Sequence, residues 1–106
     1  MQAGDFLIDK AGLGWPLAGE VALITGAARG IGREGALAIA RLGASVVVAD
    51  ISPAGSETAA AIGEAGGQAL FVQLDISDPA AVSDLNAKAL ARFGHIDIVV
   101  NDACVF

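Results

Sequence analysis

The sequence predicts a single α/β domain built on a parallel sheet, and the regular spacing of a few polar residues is the main reason. Four short runs, rich in apolar and β-branched residues, end at Thr25, Asp50, Asp75 and Asn101. These ends recur at intervals of 25, 25 and 26 residues, with a helical segment in each gap. Such alternation is typical of parallel strands joined by right-handed crossovers. At 106 residues, the chain has the length of one small domain.

The strands are predicted over residues 21–25, 45–50, 69–75 and 96–101. The second and fourth runs show little alternation between apolar and polar residues. Strands of this kind are usually covered by helices on both faces of the sheet. The sequence therefore predicts a sheet enclosed between two helical layers.

Capping residues mark the helix boundaries. Ser52 followed by Pro53 starts the second helix, and Asp78 followed by Pro79 starts the third, because each pair combines an N-cap with a proline at the first helical position. Gly94 ends the third helix. One face of that helix is predicted to cover the sheet, and it carries Val82, Leu85, Ala89 and Phe93.

Net charge excludes two classes of partner. Twelve acidic and six basic residues give a formal charge of -6. A negatively charged surface repels the phosphates of nucleic acids and of anionic lipids. The sequence therefore predicts neither a nucleic-acid partner nor a membrane partner.

Cysteine and histidine are too scarce for a disulfide framework or a metal centre. The single cysteine, Cys104, has no second cysteine to pair with, and the chain contains one histidine. A multi-cysteine or histidine-based metal site is therefore not expected. This composition favours a reducing compartment, and we predict a cytoplasmic protein.

Residues 1–16 are predicted to form a flexible leader. They contain three glycines, which are costly to order, at Gly4, Gly12 and Gly14. They contain no apolar stretch long enough for a secretory signal or a membrane span. The folded domain is expected to cover residues 17–106.

The gap after the first strand holds a glycine motif, Thr25-Gly26-Ala27-Ala28-Arg29-Gly30-Ile31-Gly32. It leaves an apolar strand, opens a helix from about Gly30 to Leu42, and precedes an acidic residue at the end of the next strand. In such a motif the first glycine allows a tight turn, the second lets the backbone approach a pyrophosphate, and the third allows close helix packing. The helix N-terminus offers N–H groups to the phosphates. A glycine turn that binds no ligand is the alternative.

The sequence resembles the short-chain dehydrogenase/reductase family over residues 17–106. The resemblance is carried by the Thr-Gly-x-x-x-Gly-Ile-Gly spacing at residues 25–32 and by three later segments: Val47-Val48-Ala49-Asp50, Leu74-Asp75-Ile76-Ser77, and Gly94 to Asn101. It implies a Rossmann-type, doubly wound parallel sheet in the order 3-2-1-4, cut after the fourth strand. The chain would be the N-terminal, cofactor-binding half of an oxidoreductase.

The resemblance also implies a set of residues that bind the cofactor. Gly26, Gly30, Ile31 and Gly32 would surround the pyrophosphate, and Arg29 would lie beside them. Asp50 would hold the adenosine ribose, and its carboxylate favours NAD over NADP, which carries a 2′-phosphate. Asp75 and Ile76 would lie beside the adenine, and Asn101 and Ala103 would lie on the nicotinamide side. For Asp50 and Asp75, formation of a turn at the strand end is the alternative role.

Two departures from the family pattern stand out. Where the family usually reads Asn-Asn-Ala-Gly, this chain reads Asn101-Asp102-Ala103-Cys104. The family's catalytic serine and Tyr-x-x-x-Lys pair have no counterpart, since the chain contains no tyrosine. No catalytic residue is therefore assigned, and the chain alone is predicted to be inactive. It is also predicted to self-associate, because the fourth strand would be an edge strand with unpaired backbone groups.

The implied parent is an NAD-dependent enzyme that transfers hydride to or from a small alcohol or carbonyl substrate, and it is expected to be a homo-oligomer. The alternatives to this interpretation are a non-catalytic nucleotide-binding module and an inert truncated product.

Overall fold

A computed structural model describes residues 15–103. Cys104 and most of the predicted leader lie outside this range. Four strands alternate with three helices: β1 (Val21–Thr25), α1 (Gly30–Arg41), β2 (Ser45–Asp50), α2 (Gly55–Glu64), β3 (Ala69–Gln73), α3 (Pro79–Phe93) and β4 (Ile98–Asn101).

All neighbouring strands are parallel, and the order across the sheet is β3-β2-β1-β4. The predicted fold class and strand order are therefore confirmed. Thr25 pairs with Ala49 on one side and with Asn101 on the other, so three strands end at nearly the same level. This register brings the loops that follow the strands to one edge of the sheet.

Each face of the sheet packs against its own helical layer. On one face, Leu23 and Val47 belong to the same buried cluster as Leu85 of α3. On the other face, Ile24 and Val48 pack with Ile62 of α2 and with α1. Burying one such aliphatic side chain contributes about 1.5–3 kcal/mol. The sheet is doubly wound, as the lack of alternation in its strands predicts.

Strands β3 and β4 are each two residues shorter than predicted, and an aspartate side chain bonds a backbone N–H group just outside each of them. After β3, the Asp75 carboxylate accepts hydrogen bonds from the N–H and hydroxyl of Ser77, which turns the chain out of the sheet. Before β4, the Asp97 carboxylate accepts the Val21 N–H at 2.8 Å. Single backbone bonds continue beyond both strands, from the Leu74 N–H to the Asp50 carbonyl and from the Asp97 N–H to the Val21 carbonyl.

The helix boundaries follow the predicted signals with one shift. Asp78 caps α3 by accepting the Ala80 N–H, and Gly94 ends this helix with a φ of 87°. In α2, Ser52 and Pro53 form a preceding turn in which the Ser52 Oγ accepts the Ala54 N–H, and the helix begins at Gly55. No helix within residues 15–103 is long and apolar enough to cross a membrane.

The start of β4 is tied to the start of β1 by a polar cluster. His95 Nε2 lies 2.9 Å from Asp97 Oδ2 and 3.0 Å from the Gly19 carbonyl oxygen. Asp97 raises the pKa of Glu20, first through a shared hydrogen bond and then through charge repulsion. This cluster lies at the amino-terminal edge of the sheet, opposite the loops that follow the strands.

A groove of about 470 Å³ opens between α1 and α2 at the same amino-terminal edge. Trp15 stands at its rim with 41% of its surface exposed. The Trp15 carbonyl accepts the Ala18 N–H, which closes a turn before β1. A Cβ on Gly43 would lie 2.7 Å from the Trp15 Cβ, so the absence of a side chain at Gly43 makes room for the tryptophan.

Candidate functional site

A cavity of about 440 Å³ lies at the carboxyl edge of the sheet, within the usual size range of small-molecule sites. In open α/β sheets, ligands bind beyond the carboxyl ends of the strands where the connections diverge to opposite faces. This cavity lies between β1, β2 and β4, at that divergence. It is lined by Thr25, Gly26, Arg29, Gly30, Ile31, Ala49, Asp50, Ile51, Leu74, Asp75, Ile76, Asp102 and Ala103.

The cavity brings together eight of the ten residues that the sequence singled out: Gly26, Arg29, Gly30, Ile31, Asp50, Asp75, Ile76 and Ala103. The other two are not among the residues that line it. Gly32 is buried in the first turn of α1, and the Asn101 side chain turns to Thr25. That these residues contact a cofactor stays a prediction.

The glycine loop meets the steric requirements of close backbone approach. Gly26 and Gly30 have positive φ angles, 69° and 61°, which residues with a Cβ rarely adopt. At Gly32, a Cβ would lie 2.1 Å from the Gly26 carbonyl oxygen, a distance that no side chain can tolerate. The third glycine therefore allows α1 to start directly against the turn after β1.

The N-terminus of α1 faces this cavity without a side-chain cap. Arg29 occupies the N-cap position, and its side chain makes no capping hydrogen bond. The first N–H groups of a helix lack partners within the helix, and the helix dipole adds partial positive charge. Such a turn is suited to binding an anion such as phosphate.

Asp50 connects the end of β2 to the glycine loop. Its Oδ2 atom accepts the Ala28 N–H and its Oδ1 atom accepts the Ser52 N–H, both at 2.9 Å. A carboxylate oxygen has two lone pairs, so each oxygen can accept one more hydrogen bond. The geometry fits a diol such as a ribose with free 2′ and 3′ hydroxyls.

Thr58 is a site residue that the sequence interpretation missed. It lies in α2, fully buried, and its hydroxyl donates to the Ala27 carbonyl oxygen at 2.9 Å. The same hydroxyl accepts from Arg33 Nη1 of α1 at 3.2 Å. Thr58 therefore fixes the loop from behind, although its place within a run of small residues gives no sequence signal.

Replacing Thr58 by valine is expected to lower the free energy of unfolding by about 1–3 kcal/mol, because the Ala27 carbonyl would stay buried without its donor. Ser56→Ala is the matched control, since Ser56 of the same helix donates to the Pro53 carbonyl in an exposed position. The control should change stability by less than about 0.5 kcal/mol. Urea unfolding would measure both. Equal stability of the two variants would contradict the role given to Thr58.

Asp75 reaches the cavity from the turn after β3. Hydrogen bonds from the Ser77 hydroxyl and then from the Ser77 N–H lower the pKa of its carboxyl group. The group therefore stays ionised at neutral pH, with Ile76 beside it in the cavity wall. The turn-forming role that was the alternative for Asp75 is present.

The end of β4 is locked to the end of β1 by side chains. The Thr25 hydroxyl donates to Asn101 Oδ1 at 2.8 Å and accepts the Ala103 N–H at 3.4 Å. These bonds hold the segment after β4 against the glycine loop. Within residues 15–103, no cluster of three or more acidic, histidine or cysteine side chains could hold a metal ion.

Comparison with known proteins agrees with this geometry. The model of the family described as short chain dehydrogenase matches residues 20–105. The chain is 50% identical over 91 residues to sorbitol dehydrogenase of Cereibacter sphaeroides, covering 85% of this chain and 34% of that protein. It is 43% identical over 90 residues to the tetrahydroxynaphthalene reductase PfmaG of Pestalotiopsis fici, covering 83% and 32%.

Among solved structures, the fold matches a hydroxysteroid dehydrogenase from Escherichia coli with a TM-score of 0.83 and 41% identity. The match covers 86% of this chain and 39% of that one. The chain therefore spans about a third of the length of the curated relatives that it matches. Since the family model matches most of the sequence and the fold agrees, the chain belongs to the short-chain dehydrogenase family.

Proposed function

We propose that this chain binds NAD and forms the cofactor-binding part of an oxidoreductase that acts on an alcohol or carbonyl substrate. The observation that carries the proposal is Asp50, which lines the same cavity as the glycine loop and keeps one acceptor position on each carboxylate oxygen. Membership of a family of dehydrogenases and reductases supports a nicotinamide cofactor. The nicotinamide ring, when bound, donates or accepts the hydride.

Different residues of the cavity bind different parts of the cofactor. Gly26 and Gly30 let the backbone approach the diphosphate, and the first turn of α1 supplies N–H donors. Asp50 accepts the ribose hydroxyls. Asp75 and Ile76 flank the adenine. Asn101 and Ala103 border the nicotinamide end, and a hydrogen bond from the Thr25 hydroxyl holds the Asn101 side chain.

The hydride transfer itself needs groups that residues 1–106 do not contain. A proton donor must stand close to the substrate oxygen, and the chain has no tyrosine to serve in the family's manner. The alcohol or carbonyl substrate, a homo-oligomeric parent enzyme and a reducing, cytoplasmic compartment are parts of the same proposal. The composition, with one cysteine and no disulfide, supports that setting.

NAD is expected to bind more tightly than NADP because a 2′-phosphate would meet the Asp50 carboxylate. At about 4 Å and an effective dielectric constant near 20, the repulsion is roughly 4 kcal/mol per pair of charges. The Ala28 N–H is already committed to Asp50 and offers the phosphate no compensation. Arg29 is exposed, and an exposed ion pair returns only about 0–1 kcal/mol.

Titration of NAD and NADP against this chain and against Asp50→Asn tests the proposal. Because Asp50 is half-exposed, we expect NAD to bind at least about tenfold more tightly to the unchanged chain, with the ratio falling towards one in the variant. Asp84→Asn, on the exposed surface of α3, makes the same charge change away from the cavity. Tighter binding of NADP to the unchanged chain would refute the assignment.

A further inference from the structure

A carboxylate stands where the cavity should attract phosphate. Asp102 follows β4, is half-buried and lines the cavity. A Cβ on Gly32 would lie 2.9 Å from Asp102 Oδ2, and a Cβ on Gly26 would lie 2.8 Å from the Asp102 carbonyl oxygen. The residue is therefore packed against both glycines, with its charged end at the first turn of α1.

Little in the described part of the chain balances this charge. The ion pairs within residues 15–103 are Lys88–Asp84 and His95–Asp97, and neither includes Asp102. The basic side chain that lines the same cavity belongs to Arg29, which is exposed. The positive end of the α1 dipole is a favourable influence on the carboxylate.

We propose that Asp102 competes with the diphosphate for the first turn of α1 and so sets the affinity and salt dependence of cofactor binding. The inference rests on the proposed function, because it assumes a dinucleotide in this cavity. A diphosphate would bring its own negative charges to the first turn of α1, beside which Asp102 Oδ2 already lies. Binding must therefore overcome a repulsion that an uncharged residue of the same shape would not exert.

Coulomb's law sets the size of the effect. With an effective dielectric constant near 20, removing one charge at about 6 Å from a phosphate would tighten binding roughly a hundredfold. Screening by solvent at a half-exposed position reduces this to about tenfold at low salt, and added salt reduces it further. Asp102→Asn removes the charge and keeps the shape, so it is the appropriate variant.

The test titrates NAD, ADP and adenosine against the full chain, Asp102→Asn and the control Asp84→Asn, using ligand-observed NMR. Each titration is run at about 0.01 M and about 1 M salt, where the screening lengths are about 30 and 3 Å. We expect Asp102→Asn to bind NAD and ADP about tenfold more tightly at low salt, with the gain largely lost at high salt. Adenosine, which lacks phosphate, should bind all three proteins alike, and Asp84→Asn should behave as the unchanged chain.

Three results would overturn the inference. Equal NAD affinity of the full chain and Asp102→Asn would remove the role of Asp102 and leave the proposed function standing. An equal gain for adenosine would assign the effect to packing. Binding of no nucleotide to any protein, with circular dichroism showing each folded, would refute the cofactor proposal itself. If Asp102→Asn does not fold, Asp102→Ser is titrated in its place with the same expectations.

Discussion

Gly32→Ala is expected to cost about 3 kcal/mol or more of unfolding free energy, whereas Gly35→Ala in the same helix should add about 1 kcal/mol. At position 32 the new Cβ would lie 2.1 Å from the Gly26 carbonyl oxygen and 2.7 Å from its carbonyl carbon. Both are backbone atoms of the turn after β1, so relief requires α1 to move away from the sheet. At position 35 a Cβ meets no atom within 4 Å, and alanine favours the helix.

Urea unfolding of the two variants beside the unchanged chain would measure these opposite shifts. Gly32→Ala should also lose nucleotide binding, because displacement of α1 moves its N-terminal turn out of the cavity. Gly35→Ala should keep it. Equal stability of the two variants would mean that α1 does not start against the turn after β1.

The isolated chain is expected to self-associate through β4, and Val99→Lys is expected to reduce that association strongly. Within residues 15–103, β4 pairs with β1 alone, so its other edge has unpaired backbone groups. Val99 is 67% exposed on this strand. Exposed apolar edge strands recruit further strands, and a lysine on the edge opposes this. The variant should lose some packing at the edge.

Sedimentation velocity over a range of concentrations would follow the association. Ala91→Lys adds the same charge at an exposed position of α3 and should leave the association unchanged. Hydrogen exchange at Ile98 and Val100 gives an independent measurement, because their N–H groups alternate with the Asp97 N–H that donates to Val21 of β1 and so point to the outer edge. A monomer whose amides at these positions are strongly protected would contradict the prediction, because it would mean that the edge is already covered.

The bounds of a strand could be predicted closely from sequence where a local run of apolar residues determines them. β1 and β2 have the predicted bounds, since each is a continuous apolar run that both helical layers cover. β3 and β4 are shorter than predicted, and the Asp75 and Asp97 side chains bond backbone N–H groups at the positions just outside them. An apolar run does not reveal whether an aspartate beside it continues the ladder or ends it.

The candidate site was predictable where glycine spacing and strand ends specify it, and not where contacts join distant segments. Thr58 reaches Ala27 across 31 residues, through the packing of α2 against the glycine loop. The sequence marked Asp102 as a departure from the family pattern. Its carboxylate position beside Gly32 depends on the register of β4 with β1, which no local pattern determines.

Trp15 gives the protein a built-in optical reporter. The chain contains one tryptophan and no tyrosine, so emission excited in the near ultraviolet arises almost entirely from this indole. The indole stands at the groove on the amino-terminal edge, and the five residues of β1, about 16 Å of strand, separate that edge from the cavity. Changes in its emission wavelength would therefore report folding and not direct contact with a nucleotide. Nucleotide binding in the same sample would be followed separately, by ligand-observed NMR.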